Sequence, residues 1–127
     1  MLRSILFACL GGAIGSGLRV FITTVVISRF GPDFPYATMG INIAGSFFIG
    51  FVAELARQRA GFSPDLRLFL TAGVLGGFTT FSAFSYDVLN LWSTRAFLLT
   101  FVYTVGSVAF GILAAQGGIS LIRAMAR

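Results

Sequence analysis

The chain has 127 residues, of which 57% are hydrophobic even with glycine left out, 10% are charged, and the formal net charge is +5. Soluble domains carry about 25% charged residues, and a water-soluble fold this short leaves too much of its own surface exposed to hide so much apolar material. A soluble globule is therefore excluded; the chain belongs in a membrane, and its length allows one domain, residues 1–127.

Residues 4–28 carry a single charge, Arg19, and form the first candidate span. A helix rising ~1.5 Å per residue crosses the hydrocarbon core in about 20 residues, and a signal core runs to only ~7–15. The stretch is thus a membrane helix, although Arg3 and Leu6-Phe7-Ala8-Cys9 faintly resemble a secretory signal or lipoprotein box. Phe7 fits such a box poorly, and Cys9 comes too early in the chain. The lone Cys9 reads as a small apolar helix residue and offers no disulfide or thiolate metal site within one chain.

After a link at residues 29–35, the second span covers residues 34–56 and holds Asn42 near its middle, in TMGINIAGSFF. An unpaired amide in hydrocarbon costs several kcal/mol, so Asn42 must face protein, water or an ion. On position alone, a helix–helix hydrogen bond and an ion contact are equally good readings. The third span, residues 67–91, contains GGFTTFSAFS at residues 76–85. Glycine pairs permit non-helical backbone, so a break near Gly76–Phe81 is expected, covered by protein or a water-filled cavity. Carbonyls freed by such a break can coordinate a cation. The fourth span, residues 96–122, carries no charge.

Pro32, Pro35 and Pro64 fall in or beside the first two links. Period-2 alternation is absent, which argues against a transmembrane barrel. The fold class that results is an all-α membrane protein of four transmembrane helices with a broken third. Gly11/Gly15 and Gly73/Gly77 have the GxxxG spacing that lets helix backbones approach closely.

All nine basic residues are arginines. With four crossings both termini share a side, which holds Arg3, Arg57, Arg59, Arg67, Arg123 and Arg127 against Arg29 and Arg95. That bias predicts cytoplasmic termini. The basic charge reads as topology and lipid headgroup contact; no nucleic acid partner is implied. Arg19 lies about ten residues before the end of its span. It can snorkel to the interface, the simpler reading of its position, or place a positive potential in a vestibule that draws anions inward.

Enzymatic chemistry has little to work with. There is no histidine, and Asp33, Glu54, Asp65 and Asp87 all fall at helix ends or in links. Paired carboxylates, a nucleophile with its base, and a metal cluster are all missing.

GVLGGFTTFSAFSYD at residues 73–87, with Asn42 in GINIAGSFFIG and Arg19 in GSGLR, resembles the Fluc (also called CrcB) family of bacterial fluoride channels over essentially the whole chain. The resemblance implies a fluoride-selective channel that exports fluoride across the inner membrane and relieves its toxicity. It implies an antiparallel, dual-topology homodimer with two pores and a central structural Na+. By match to the family's motif, Phe81 and Phe84 are the pore phenylalanines and Asn42 the pore asparagine, while Gly76 and Thr79 give main-chain carbonyls to Na+. Tyr103 and Ser107 match the hydroxyl track, with Thr80 and Ser82 beside it; one turn beyond Ser107 the track meets Gly111. Arg19 would stand in the vestibule. An antiparallel dimer needs both orientations, so the chain is expected to insert both ways despite its arginine bias.

Elementary chemistry agrees with these roles. Fluoride is small and strongly hydrated, so a dry path must offer donors in place of water, and amide and hydroxyl groups provide them. Aromatic rings carry a positive edge that can face an anion, and Phe81 and Phe84 at i and i+3 share a helix face. Two other classes compete. A small four-helix multidrug/proton antiporter needs an embedded carboxylate, and the only glutamate, Glu54, ends span two beside Arg57. A non-transporting helper subunit would use its polar residues only to pack helices.

Overall fold

The computed structural model describes residues 1–126; Arg127, and with it one arginine of the topology count, lies outside the described residues. Helix α1 spans Leu2–Phe30 and α2 spans Tyr36–Gln58. The third crossing is composite: α3 (Pro64–Leu68), a π-helical segment π1 (Phe69–Leu75), a short turn α4 (Gly76–Phe78) and α5 (Phe81–Ser93). Helix α6, Phe97–Met125, is the fourth. Four long apolar helices are thus present, the third of them bent.

Helix ends do not coincide with the limits of the charge-poor stretches, because a helix carries on past the hydrocarbon until its backbone is stopped. Glycine stops α1: the Gly31 N–H closes on Ile27 O at 2.9 Å, and the residue then turns to φ 77°, ψ 175°, a conformation open to glycine at least cost. Pro64 opens α3 at a position where no amide donor is needed. Between α5 and α6 the turn places Arg95 at φ 60°, while Ala96 N–H reaches Leu91 O at 3.2 Å.

Two parallel helix pairs form the body. Helix α1 lies along π1 and α4, and α2 lies along α6, with contacting residues advancing together on both members of each pair. The first pair meets backbone to backbone through glycine. A Cβ on Gly11 would stand 2.5 Å from Phe69 O, and one on Gly77 would stand 2.5 Å from Gly12 O and 2.9 Å from Gly12 Cα. The second pair uses Gly50 against Ala115 and Gly118 against the Phe47–Phe51 turn. Lipid offers no hydrophobic driving force between helices, so close van der Waals approach holds such pairs together.

The glycine pair therefore has a different role from the one its sequence suggests. Gly76 has φ −64° and ψ −38°, ordinary helical values, and Gly77 lies with it inside α4. The chain leaves the helix at Thr79 (φ −79°, ψ 159°) and Thr80 (φ −154°, ψ 119°), angles open to any residue. The break lies within the expected Gly76–Phe81 stretch, but the threonines make it, and Gly77 lets α1 approach.

At the arginine-rich end, α2 and α6 are joined by Glu54, only 4% exposed. Its carboxylate accepts from Arg57 Nη2 at 2.6 Å, Arg57 Nε at 3.0 Å, Gln58 Nε2 at 2.8 Å and Arg123 Nε at 3.0 Å. Arg3 also pairs with Asp65 at 2.7 Å; being exposed, that contact adds little.

Substitution separates close approach from mere helix content. Gly77→Ala forces a methyl into the Gly12 backbone, which cannot yield, and a cost of about 1–3 kcal/mol is expected from overpacking. Gly17 has nothing within 4 Å of its Cβ position, so Gly17→Ala should be neutral or slightly stabilising. Thermal unfolding in detergent checks this, and equal stability of the two variants would contradict the packing.

Candidate functional site

The break in the third crossing strips backbone groups of their helical partners, and other side chains take them over. Thr80 caps α5 through its own hydroxyl, which accepts from Ala83 N–H at 3.2 Å. Asn42, on α2, closes on the Thr80 backbone twice: its Nδ2 donates to Thr80 O at 3.0 Å, and its Oδ1 accepts Thr80 N–H at 2.8 Å. The amide's orientation follows from that pairing, since only Oδ1 can receive an N–H. One Nδ2–H is left over.

Carbonyls before the break are treated unequally. Gly77 O accepts from Arg19 Nε at 3.1 Å and from Ser16 Oγ at 3.4 Å. Arg19 thus turns inward to a helix C-terminus, where cations are favoured, instead of snorkelling to the interface. Gly76 O and Thr79 O are left with less. Their helical donors would be Thr80 N–H and Ala83 N–H, and those go to Asn42 Oδ1 and Thr80 Oγ1.

Both residues open on a cavity of about 360 Å³. Asn42, Thr80, Phe81, Phe84 and Ser107 line the same space, and among the described residues no charged side chain does. The Phe81 and Phe84 ring centroids are 5.6 Å apart at 39°. Phe84 lies 5.4 Å from the Tyr103 ring, whereas Phe81 is 79% exposed. Among the described residues, Ser107 Oγ is the one buried side-chain polar atom without a hydrogen-bond partner. Such orphans are rare and ask for an explanation, because each carries a desolvation cost of about 1–3 kcal/mol.

Three sequence candidates lie apart from this set. Tyr103 is fully buried, and its hydroxyl donates to Asp87 Oδ2 at 3.0 Å. Ser82 is exposed, with its hydroxyl 3.3 Å from that of Thr80. Arg19 lines a second cavity of about 350 Å³, which Thr80 and Asp87 also border.

Ser46 and Thr71 line the first cavity and were not singled out from the sequence. Ser46 follows Asn42 by one helical turn, a spacing that places the two on one face. Thr71 belongs to π1, whose register the sequence does not announce. Among the described residues no group of three or more His, Cys, Asp or Glu side chains could hold a metal ion. A cation at this site would have to rely on main-chain oxygen.

Comparison with known proteins gives one consistent answer. Residues 6–119 match the family described as CrcB-like protein, Camphor Resistance (CrcB). The chain is 44% identical to a fluoride-specific ion channel FluC of Rhizobium meliloti over 124 residues, covering 98% of this chain and 99% of the relative. A Rhizobium leguminosarum protein of the same name is 43% identical over 126 residues, 99% of this chain and all of the relative. One from Anaeromyxobacter is 40% identical over 122 residues, covering 96% and 97%. The name that these three relatives share describes an ion channel, not an enzyme.

The double contact of Asn42 sets a measurable expectation. Asn42→Leu leaves the Thr80 N–H without its partner, at about 1–3 kcal/mol, and removes the donor that Thr80 O accepts beside the first turn of α5. Asn42→Asp keeps an acceptor for the N–H but sets an oxygen against Thr80 O. Both variants should unfold in detergent at lower temperature than the parent, by roughly 5 °C or more. Parent-like stability in both would show that Asn42 does not secure the break.

Proposed function

The chain belongs to the CrcB/FluC family of fluoride-specific ion channels, and on that premise we propose that it exports fluoride across the bacterial inner membrane and relieves its toxicity. The observation that carries the reading is the buried, partnerless hydroxyl of Ser107 in a cavity shared with Asn42, Phe81 and Phe84. A donor held dry and without a partner suits a small anion that has lost its water. The Phe81 and Phe84 edges supply positive potential, and Asn42 supplies its remaining N–H. An uncharged lining lets the ion leave again.

Other residues take graded roles in this reading. Thr80 and Ser82 offer hydroxyls near the mouth of the path. Tyr103 shapes the path through its ring, because its hydroxyl proton points to Asp87. Arg19 gives the second cavity a positive wall next to Thr80, a vestibule for an arriving anion, and Asp87 partly offsets it.

The exposed Phe81 and the opened backbone at Gly76 and Thr79 also call for a cover. Irregular backbone at membrane depth is tolerated only against protein or water. A second, inverted copy of the chain supplies that cover in this account, giving an antiparallel homodimer with two pathways. The Gly76 and Thr79 carbonyls fit a structural Na+, since hard oxygen atoms suit a hard cation and both have lost their helical donors. Bound there, Na+ would neutralise carbonyl dipoles left over by the break.

The antiporter reading loses its proton carrier. Glu54, the only glutamate, has both oxygens occupied by Arg57, Gln58 and Arg123. A helper subunit has no use for a buried hydroxyl without a partner.

Fluoride efflux from liposomes, read with a fluoride electrode, tests the proposal. The parent protein should release fluoride, and Phe81→Ile and Phe84→Ile should each elute as the parent dimer yet lose most of the flux. Volume-conserving apolar swaps cost under about 1.5 kcal/mol, so a packing role alone would leave transport intact. Normal flux through both variants sinks the pore assignment. Labelling of an introduced cysteine at Arg3 should find the N-terminus on both sides of the membrane; one side only would contradict the inverted pair.

A further inference from the structure

Thr71, Thr79 and Thr80 line the cavity from the third crossing, and α2 and α6 face it with one row each. On α2, Asn42 and Ser46 are one turn apart, and on α6, Ser107 and Gly111 are one turn apart. The two helices run parallel, so the rows advance side by side. At the first level both helices contribute a polar group, Asn42 and the orphaned Ser107. At the second level α6 has no side chain at all.

The space beside Gly111 is not empty. A Cβ on Gly111 would have a single heavy atom within 4 Å, the Ser46 Oγ, at 3.5 Å. That is ordinary van der Waals contact, so the glycine is not required by backbone crowding, in contrast to Gly77. Gly50 and Gly118, further along the same helix pair, meet backbone atoms closely. What distinguishes Gly111 is a hydroxyl reaching toward it from the facing helix, and Ser46 lines the cavity while Gly111 does not.

We propose that Ser46 is a fluoride-binding residue: it carries the hydroxyl that receives the ion one turn beyond Ser107, on the α2 side of the path, where α6 offers only Gly111. The inference rests on the reading of this cavity as a fluoride pathway. An anion passing Ser107 otherwise meets the apolar Ile49 and Val108, which cannot replace a water, and Thr71, whose hydroxyl donates to Arg67 O at 2.8 Å. Ser46 closes that gap with one O–H donor, at a height set by its turn after Asn42.

Four proteins in the same liposome efflux assay decide the matter: the parent, Ser46→Ala, Gly111→Ser, and Ser46→Ala combined with Gly111→Ser. Ser46→Ala should lower fluoride flux roughly tenfold or more, the scale of one hydrogen bond to a charged partner. Gly111→Ser alone should stay within about threefold of the parent, as the site accepts a Cβ. The combination should recover most of the loss, because it returns a hydroxyl to the same place from the other helix. A purely structural role for Ser46 predicts no such rescue. If the parent conducts and Ser46→Ala conducts within twofold of it, or if the combined variant is no better than Ser46→Ala, the assignment is overturned and the channel reading stands. If the parent itself passes no fluoride, the channel reading falls and this assignment with it. Should Ser46→Ala fail to elute as the parent does, Ser46→Cys keeps the volume with a weaker donor, and parent-like flux from it overturns the assignment.

Discussion

The pair of hydrogen bonds between the Asn42 amide and the Thr80 backbone is the interaction on which the rest depends. An interrupted helix inside a membrane leaves main-chain groups without partners, and hydrocarbon offers them none. Here one side chain from the neighbouring crossing replaces the acceptor that Thr80 N–H has lost and adds a donor to Thr80 O. Thr80 then uses its own hydroxyl to start α5. With those groups satisfied, the chain can afford an extended turn at Thr79 and Thr80, and that turn sets Phe81 and Phe84 on the wall of the cavity. Arg19 and Ser16 treat the Gly77 carbonyl in the same way from α1.

The two helix pairs make this possible by different means. Between α1 and the π1–α4 segment the glycines remove side chains from the contact, so that backbones touch and Arg19 comes within reach of Gly77 O. Between α2 and α6 the contact is looser near the cavity and tight beyond it, at Gly50 and Gly118, where the Glu54 cluster also ties the ends together. Rigid packing at one end and open polar rows in the middle is a division of labour along a single pair. Most large apolar residues face outward, as the surroundings of a membrane protein demand, and among the described residues Tyr103 is the one large side chain shut away completely.

Much of this could be read in the residues. Charge-poor stretches of adequate length give the helical membrane class directly, since each charge in hydrocarbon is costly. The polar residues within those stretches, Asn42 above all, mark where something other than lipid must be met. Their partners were not legible. Asn42 pairs with a backbone group 38 positions away, and no local pattern encodes that. Glycine misleads for a related reason: the same residue serves unusual dihedrals and close approach, and only the neighbouring helix tells which applies at Gly76 and Gly77. The sequence matched Tyr103 to the hydroxyl track but could not show that its proton goes to Asp87 on the preceding crossing. Ser46 was open to discovery through its spacing from Asn42, but a lone serine in a span is as often a packing residue.

Asn42, from outside the broken crossing, holds the backbone at Thr80. Amide hydrogen exchange at Thr80, followed by NMR in detergent, tests that claim most directly. Thr80 N–H should be protected in the parent to the level of its helical neighbours. In Asn42→Leu it should exchange rapidly, while amides of α2 and α6 distant from the cavity keep their protection. Rapid exchange at Thr80 in the parent, or unchanged protection after the substitution, would contradict it.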